Sequence, residues 1–289
     1  MSINEAKRKF PNISRKAVEL KAQEMFDSGA KKFLLETIKL CKKLRPKAKW
    51  GFYDYPSCNY DAGHQGETEC SKKYQSINER LLWLYKEVGA LYPQIYLYKK
   101  SEDRSITQSY IHAKAMEAEW IQIITKRSIP LYFYSKIEYS PYINRSEGEH
   151  FYNKEDLCDT IGYPLNIGAD GIVLWSTSTN MQERCPVIKN YFEELFGPYI
   201  KHFNKKMTSC EKRLCNKHGR CILQDRMPKV GCFPKISRYM CICDKGYTGE
   251  NYSSLLNLLD RMGGFVIHCT IEYQFFSTLL MKQTIARIM

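Results

Sequence analysis

The sequence lacks the apolar segments that mark targeting and membrane-spanning regions. Its first ten residues, MSINEAKRKF, contain no apolar core of the kind found in a secretory signal peptide. Near the other end, an apolar window over 263–281 is interrupted by His268, Glu272 and Gln274. Because a charged side chain is costly at the centre of a bilayer, we expect no stable membrane insertion of this tail.

Phosphate-binding loops and zinc knuckles are also missing. No G-x-G-x-x-G or G-x-x-x-x-G-K-[ST] motif follows a predicted strand, which argues against a nucleotide cofactor. Of the twelve cysteines, six lie between Cys210 and Cys243, but only Cys241 and Cys243 are close together, whereas zinc ribbons usually carry paired C-x2-C knuckles. The cluster is therefore predicted to form disulfides in an oxidising compartment, and neither a metal nor a cofactor is expected.

The charge balance is strongly basic, with 44 Lys and Arg residues against 31 Asp and Glu residues and a formal net charge of +13. This excess favours encounter with a polyanion: a nucleic acid, an anionic membrane or an acidic polysaccharide. Much of the charge lies in short runs at 7–9, 42–43 and 205–206, which are typical of solvated helix surface. Charge by itself does not choose among these partners.

Asn-x-Ser sequons begin at Asn12, Asn144 and Asn251. Asn12 and Asn144 are predicted glycosylation sites. Together with the cysteine cluster, the sequons favour a secreted or lysosomal full-length product, even though these residues begin without a signal-peptide pattern.

Strand and helix patterns alternate along the first 203 residues. Helices are predicted over 14–44, 77–91, 106–125, 155–165 and 185–203, and strands over 50–55, 94–98, 130–139 and 170–176. Such alternation indicates an α/β fold with parallel strands and crossover helices, either an open doubly wound sheet or a (β/α) barrel. Since no phosphate-binding loop follows a strand, the barrel is favoured.

Aromatic residues occupy the carboxyl ends of the predicted strands, where barrels carry their functional groups. The candidates are Tyr53, Tyr55, Tyr96, Tyr98, Tyr132, Tyr134 and Trp175. Aromatic faces pack against sugar C–H groups and tyrosine hydroxyls bond sugar oxygens, which predicts a saccharide groove. Aromatic residues also favour strands in general, so the residues by themselves leave groove and core equally open.

Paired carboxylates, which most glycosidases place on either side of the bond they cleave, are absent from these strand ends. The acidic candidates are Asp54, Glu138 and Asp170, and no D-x-E or D-x-D pair lies on a predicted strand. A structural role is therefore predicted for each of the three.

Several motifs, taken in order, resemble the animal hyaluronidase family. They are LRP at 44–46 with WGFY at 50–53, Pro56, Cys58 and NYD at 59–61, ALYPQIY at 90–96, GADGIVLW at 168–175, and GPYI at 197–200. The resemblance covers roughly residues 14–203. It implies a distorted (β/α) TIM-like barrel, incomplete at its amino terminus, from an enzyme that hydrolyses β-1,4 N-acetylhexosaminide linkages in hyaluronan or chondroitin.

The resemblance also implies roles for particular residues. Tyr134 falls where the family has the tyrosine that positions the substrate's acetamido group, whose own oxygen is the nucleophile in a substrate-assisted, retaining reaction. Tyr53 and Trp175 match groove residues around the scissile sugar, and Tyr60 resembles a further substrate contact.

The family's general acid is the Glu of a D-x-E motif on an earlier strand, which has no counterpart in the 289 residues. We expect this segment, together with the disulfide partner of Cys185, to precede Met1. The chain by itself is therefore predicted to be inactive.

Residues 208–252 resemble the EGF-like module that closes many hyaluronidases. Because position 252 is tyrosine, Cys243 lacks its usual partner, so its bridge is either absent or formed with Cys232 or Cys269. The disulfides implied by the resemblance are Cys58–Cys70, Cys210–Cys221 and Cys215–Cys241. The predicted organisation is a truncated barrel over 1–207, the module over 208–252 and an unassigned tail over 253–289. 

The first predicted function is a hyaluronidase-family enzyme whose partner is hyaluronan or a chondroitin-type glycosaminoglycan. A non-catalytic glycosaminoglycan-binding protein is the alternative, and an adhesion module ranks last. The protein is expected to be a monomer that binds no nucleic acid. Tyr163 departs from the family pattern, which commonly has an acidic residue there, and this puts the local packing in question.

Overall fold

A computed structural model describes residues 2–98, 100, 103–139, 150–228, 231–244, 246–248 and 254–255. Its α-helices are α1 Ser2–Lys9, α2 Arg15–Leu44, α3 Lys72–Arg80, α4 Leu82–Tyr85, α5 Arg104–Thr125, α6 Lys154–Leu157, α7 Tyr163–Asn166, α8 Met181–Tyr191 and α9 Gly197–Leu214. Single π-helical turns, Cys158–Gly162 and Phe192–Phe196, join α6 to α7 and α8 to α9. A short 3-10 helix covers Ile236–Arg238.

The strands form three two-stranded sheets in the described part of the chain. They are β1 Tyr132–Ser135 with β2 Gly171–Leu174, β3 Gly219–Leu223 with β4 Tyr239–Cys243, and β5 Tyr247–Thr248 with β6 Ser254–Leu255. The first pair is parallel, and the other two are antiparallel. No described helix has the length and apolar character needed to cross a membrane.

Isolated bridges extend the parallel arrangement beyond β1 and β2. Tyr53 bridges Tyr92, Leu91 bridges Leu131, and Gln94 bridges Tyr134, all in the parallel sense. The extended segments therefore lie side by side in chain order, with helices in the connections between them. This is the alternation expected of a (β/α) unit, and it places all the carboxyl ends at one edge.

The first two predicted strands are mostly irregular. Gly51 lies so close to the neighbouring segment that a Cβ there would be 2.3 Å from the carbonyl oxygen of Ala90. Of the predicted strand 50–55, only Tyr53 forms a bridge. Side chains replace part of the ladder in the predicted strand 94–98, since Gln94 Oε1 accepts from the backbone N–H of Tyr96 at 2.9 Å. Parallel pairing there begins three residues earlier than predicted, at Leu91.

The helix predictions are correct in position but differ at several boundaries. The predicted helix 14–44 is α2, whose first turn is capped by the Ser14 side chain. The predicted helix 77–91 is wrong at both ends. It begins earlier, at Lys72, and it ends before residues 89–92, which turn into the parallel segment. Leu81 also divides it into α3 and α4. The predicted helix 185–203 is part of a longer one that runs from α8 through α9.

The core centres on α5 and the parallel strands. Ile111 and Ala118 of α5 and Phe133 of β1 are fully buried in the larger cluster. A second cluster packs the segment around Tyr152 against Phe203 of α9. Burial of such apolar area stabilises the fold by roughly 25 cal/mol for each Å² removed from water.

Tyr163 resolves the packing question raised by the sequence. Its side chain is buried, and its hydroxyl donates to the carbonyl oxygen of Arg226 at 2.9 Å. The hydroxyl oxygen of Tyr163 also lies 3.2 Å from Nδ1 of the buried His112. A tyrosine at this position therefore links α7 to α5 and to the chain that follows β3.

Four disulfides connect described cysteines, and three of them are the bridges that the resemblance implies. They are Cys58–Cys70, Cys210–Cys221, Cys215–Cys241 and Cys158–Cys232. The possibility that Cys232 pairs with Cys243 is wrong, because Cys232 is joined to Cys158. Cys243 is also disulfide-bonded, and Cys269 lies outside the described residues. Cys41 and Cys185 are free thiols.

The β3–β4 hairpin is linked to the preceding helices by two disulfides and by the uninterrupted helix α9. The helix α9 runs through the predicted boundary at residue 207 and supplies Cys210, which is bonded to β3. The Cys158–Cys232 bridge ties the segment before β4 to the π turn after α6. The two predicted parts are thus joined at more than one point.

Removing the Cys158–Cys232 bridge should destabilise the protein. The bridge closes a loop with a sequence separation of 74 residues, so the double substitution Cys158→Ser/Cys232→Ser is expected to lower the free energy of unfolding by about 4 kcal/mol. Urea denaturation of the oxidised proteins measures this loss. The control is Cys185→Ser, which removes an exposed free thiol. Equal stability of the double variant and the control would contradict the prediction.

His112 should make stability fall in acid. Burial lowers its pKa to about 4 from the ordinary 6.5, with a further lowering by the charge of Arg226. At pH values between about 4 and 6.5, the histidine of the unfolded chain binds a proton that the histidine of the folded chain does not. The free energy of unfolding therefore decreases as the pH falls through this range. The expected loss from pH 7.5 to pH 4 is about 3 kcal/mol.

Urea denaturation at the two pH values tests this prediction on His112→Gln, with His64→Gln as the exposed control. The free energy of unfolding of His112→Gln should depend less on pH than that of the parent and of the control. An unchanged pH dependence in His112→Gln would contradict the assignment.

Candidate glycan-binding groove

Four aromatic rings form a continuous row at the carboxyl ends of the parallel segments. The ring of Tyr53 lies 5.2 Å from that of Tyr134 and 6.0 Å from that of Tyr96, measured between centroids. Tyr96 in turn stacks on Trp175 at 6.1 Å. Tyr53 and Trp175 are 50% and 47% exposed, so the row is open to solvent at both of these rings.

The structure separates groove residues from core residues among the predicted aromatics. Tyr55 packs on the main core beside Phe52. Tyr132 lies at the start of β1 and not at its carboxyl end. Its ring stacks on that of Tyr92, with 5.8 Å between the ring centroids. Tyr60 and Tyr98 are both exposed.

Tyr60 and Tyr98 lie near the row. Tyr60 belongs to the loop closed by the Cys58–Cys70 disulfide. Desolvation raises the pKa of Tyr60, and the charge of Asp54 and the neighbouring Tyr98 raise it further. Tyr60 therefore lies within electrostatic range of Asp54 and Tyr98.

The hydroxyl groups of Tyr53 and Tyr96 remain protonated across the physiological range. Desolvation raises the pKa of Tyr53 and, more strongly, that of Tyr96. The hydrogen bond between the two side chains raises the pKa of Tyr96 further and lowers that of Tyr53. Neutral hydroxyls of this kind can both donate to and accept from sugar hydroxyls.

A buried ion pair fixes the backbone next to Tyr53. Asp54 has a left-handed backbone (φ 62°), and its N–H donates to the carbonyl oxygen of Tyr92 at 2.9 Å. Its carboxylate accepts from Lys114 Nζ at 3.2 Å, and the Lys114 side chain is completely buried in α5. Burial lowers the pKa of Lys114, while Asp54 acts in the opposite direction. Asp54 is thus a structural partner, as predicted.

The other two acidic candidates are also ion-paired. Glu138 is buried and accepts from both Arg184 and Ser176. Asp170 accepts from Arg220 at 2.8 Å and from the backbone N–H of Leu131 at 2.8 Å. Each carboxylate therefore has a structural partner, which agrees with the sequence prediction.

Lys136 is a groove residue that sequence reasoning missed. It is largely buried, and its Nζ lies 4.7 Å from the ring centroid of Tyr96 and 5.2 Å from that of Trp175. The sequence feature that could have identified Lys136 is its position two residues after Tyr134, because alternate residues of an extended segment point to the same side. It places positive charge beneath the aromatic row.

The remaining predicted positions are not in the groove. Asn12 is exposed in the turn between α1 and α2, and Asn144 lies outside the described residues. No cluster of three or more His, Cys, Asp or Glu side chains suited to a metal ion occurs within the described ranges.

Comparison with known proteins supplies the family. A family model described as Hyaluronidase matches residues 1–250. The chain belongs to the hyaluronidase family. Its members include hyaluronidases and chondroitin hydrolases, which are glycosidases.

Two relatives show how much of a hyaluronidase-family protein is present. A chondroitin hydrolase of Caenorhabditis elegans is 33% identical over 254 residues, which cover 86% of this chain and 53% of that protein. Human hyaluronidase-1 is 31% identical over 225 residues, which cover 76% of this chain and 50% of that protein. The chain therefore spans about half the length of these relatives.

Solved structures agree with the family and the fold. A crystal structure of bee venom hyaluronidase has a TM-score of 0.60 at 25% identity, over 69% of this chain and 63% of that one. The same enzyme in complex with a hyaluronic acid tetramer has a TM-score of 0.61 at 25% identity, over 70% and 62% of the two chains. These hyaluronidases have a TIM-like fold, in agreement with the predicted barrel.

The Asp54–Lys114 pair should respond to its two substitutions unequally. Lys114→Met leaves the Asp54 carboxylate unpaired beside an apolar side chain and is expected to cost about 3 kcal/mol of unfolding free energy. Asp54→Asn/Lys114→Met removes both charges, and asparagine tolerates the left-handed backbone, so part of the stability should return. Urea denaturation of the two variants measures the difference. A double variant that is less stable than Lys114→Met would contradict the role of the pair.

Proposed function

We propose that the aromatic row binds a hyaluronan or chondroitin-type chain. The observation that supports this is the contact of Tyr53, Tyr134 and Trp175, through Tyr96, in one exposed row at the carboxyl edge of the parallel segments. Aromatic faces of this kind pack on sugar rings. Tyr60, exposed on the adjacent disulfide-closed loop, is assigned a further substrate contact.

The proposed reaction is hydrolysis of a β-1,4 N-acetylhexosaminide linkage with retention. The acetamido oxygen of the substrate attacks the anomeric carbon while the bond to the leaving oxygen breaks. A protein carboxylic acid gives its proton to that oxygen, and water then opens the cyclic intermediate. Tyr134 would orient the acetamido group, because its ring packs edge-on against Tyr53 in the row, with 5.2 Å between centroids.

The 289 residues are proposed to supply the groove without the acid. They contain no D-x-E motif, and the three acidic candidates near the strand ends are ion-paired. The oxygens of these carboxylates accept from Lys114, Arg184 and Arg220, so none of the three is free in the groove to face a leaving group. Little or no turnover is therefore expected from this chain by itself.

The other untested assignments are part of the same proposal. We infer a secreted or lysosomal monomer with glycosylation at Asn12 and Asn144. We also infer an EGF-like module over 208–252, an assignment supported by the β3–β4 hairpin and its two disulfides.

The second candidate function is non-catalytic binding of a glycosaminoglycan. The ion pairs at Asp54, Glu138 and Asp170 favour it, since they leave the groove intact while occupying the nearby carboxylates. Turnover by a longer protein, in which a D-x-E segment is joined to these residues, separates the two functions. Incubation with hyaluronan at mildly acidic pH, followed by measurement of chain length, should show no shortening if the groove only binds.

Trp175→Ala should weaken glycan binding. The substitution removes an exposed ring that stacks on Tyr96, and the dissociation constant for hyaluronan oligosaccharides is expected to rise at least about tenfold. Titration calorimetry measures the change. Phe33→Ala, which removes a ring that is 71% exposed on α2, is the matched control. Unchanged affinity in Trp175→Ala would rule out the groove as the binding site.

A further inference from the structure

A second concave surface lies at the opposite edge of the parallel segments. Its wall is made by residues 127–130, which precede β1, with residues 168 and 170 just before β2 and residues 49–50 just before the bridge at Tyr53. Because the segments run parallel, these amino ends face away from the aromatic row. A four-residue strand such as β1 separates the two edges by about 13 Å.

Two cavities of about 450 Å³ and 360 Å³ share this wall. The larger one lies between the wall and the β3–β4 hairpin, whose paired residues Arg220 and Ile242 line it. The smaller one lies between the wall and the segment that follows α2. Together they form a cleft across the amino edge, and we call it the amino-edge cleft.

The amino-edge cleft is rich in positive charge. Seven cationic side chains line it: Lys42, Lys47, Lys49, Lys126, Arg127, Arg220 and Arg226. Glu119 and Asp170 are its acidic lining residues and pair with Arg226 and Arg220. No acidic residue lines the smaller cavity. Lys42 is paired with Glu87, outside the lining, at 3.2 Å, so Lys47, Lys49, Lys126 and Arg127 are the lining cations without an ion pair among the described residues.

Three of these cations are available to a ligand. Lys47, Lys49 and Lys126 are exposed, and none of them forms an ion pair within the described part of the chain. Arg127 is held between them, because its guanidinium donates to the carbonyl oxygens of Tyr85 at 2.8 Å and Val88 at 3.1 Å. A fixed guanidinium flanked by exposed ammonium groups suits an extended anion with repeated charges.

We propose that the amino-edge cleft is a second binding site for an anionic polysaccharide, separate from the aromatic groove. Trp50, which is half-buried against the main core, also lines the smaller cavity and would supply aromatic surface to a sugar ring. The proposal rests on the proposed function only for the choice of an anionic glycan over other polyanions. A chain bound at both edges would stay attached to the protein after it leaves the groove.

The test uses a chondroitin sulfate oligosaccharide of defined length, with affinity measured by fluorescence anisotropy at several salt concentrations. The variant Lys47→Gln/Lys49→Gln/Lys126→Gln removes the three exposed charges of the cleft. The matched control Lys16→Gln/Lys32→Gln/Lys201→Gln removes three exposed lysines of α2 and α9. Both sets are also made together with Trp175→Ala, and thermal unfolding confirms that every variant is folded.

The cleft variant is expected to bind about tenfold more weakly than the control at low salt, with a shallower dependence on salt. The same loss of affinity should appear when the cleft substitutions are combined with Trp175→Ala, which weakens binding in the aromatic groove. The combined variants therefore distinguish failure of this proposal from failure of the proposed function. Equal binding by the cleft variant and the control would overturn the proposal. A DNA duplex of similar charge that binds the parent as tightly as the oligosaccharide would overturn it as well.

Discussion

Parallel pairing of consecutive extended segments is the constraint on which the rest of the structure depends. The bridges at Tyr53, Leu91 and Gln94, together with the β1–β2 register, align four segments that point the same way. Residues that follow each segment then meet at one edge, and residues that precede each segment meet at the other. The same register therefore gathers tyrosine and tryptophan side chains at the carboxyl edge and basic side chains at the amino edge.

The chemistry of the carboxyl edge is decided by what its carboxylates contact. Asp54 lies next to Tyr53 in sequence, yet its carboxylate faces the buried Lys114 of α5. Glu138 faces Arg184 in the same way. These carboxylates hold neighbouring elements in place through their cationic partners. The exposed side chains of the row at this edge are accordingly aromatic.

Covalent links make the hairpin that follows α9 part of this arrangement. The Cys158–Cys232 bridge joins the helical layer to the chain before β4, and the hydroxyl of Tyr163 bonds Arg226 between the same two regions. Arg220 then reaches Asp170 at the start of β2. The hairpin thereby forms one wall of the amino-edge cleft, so the disulfides contribute to a surface as well as to stability.

The sequence by itself determined the family, the order of helices and strands and three of the disulfides, and it singled out Tyr53, Tyr134 and Trp175, whose role in substrate binding stays a prediction. These depend on short motifs and on local periodicity, which are contained in neighbouring residues. It could not place the pairing of Cys158 with Cys232 or the position of Lys136 beneath two rings, because these contacts join residues far apart in the chain. The irregular strands were missed for a similar reason, since side chains such as Gln94 replace backbone ladder bonds. Whether an aromatic residue faces the groove, as Tyr53 does, or the core, as Tyr55 does, was decided only by the tertiary structure, because packing and not local propensity sets burial.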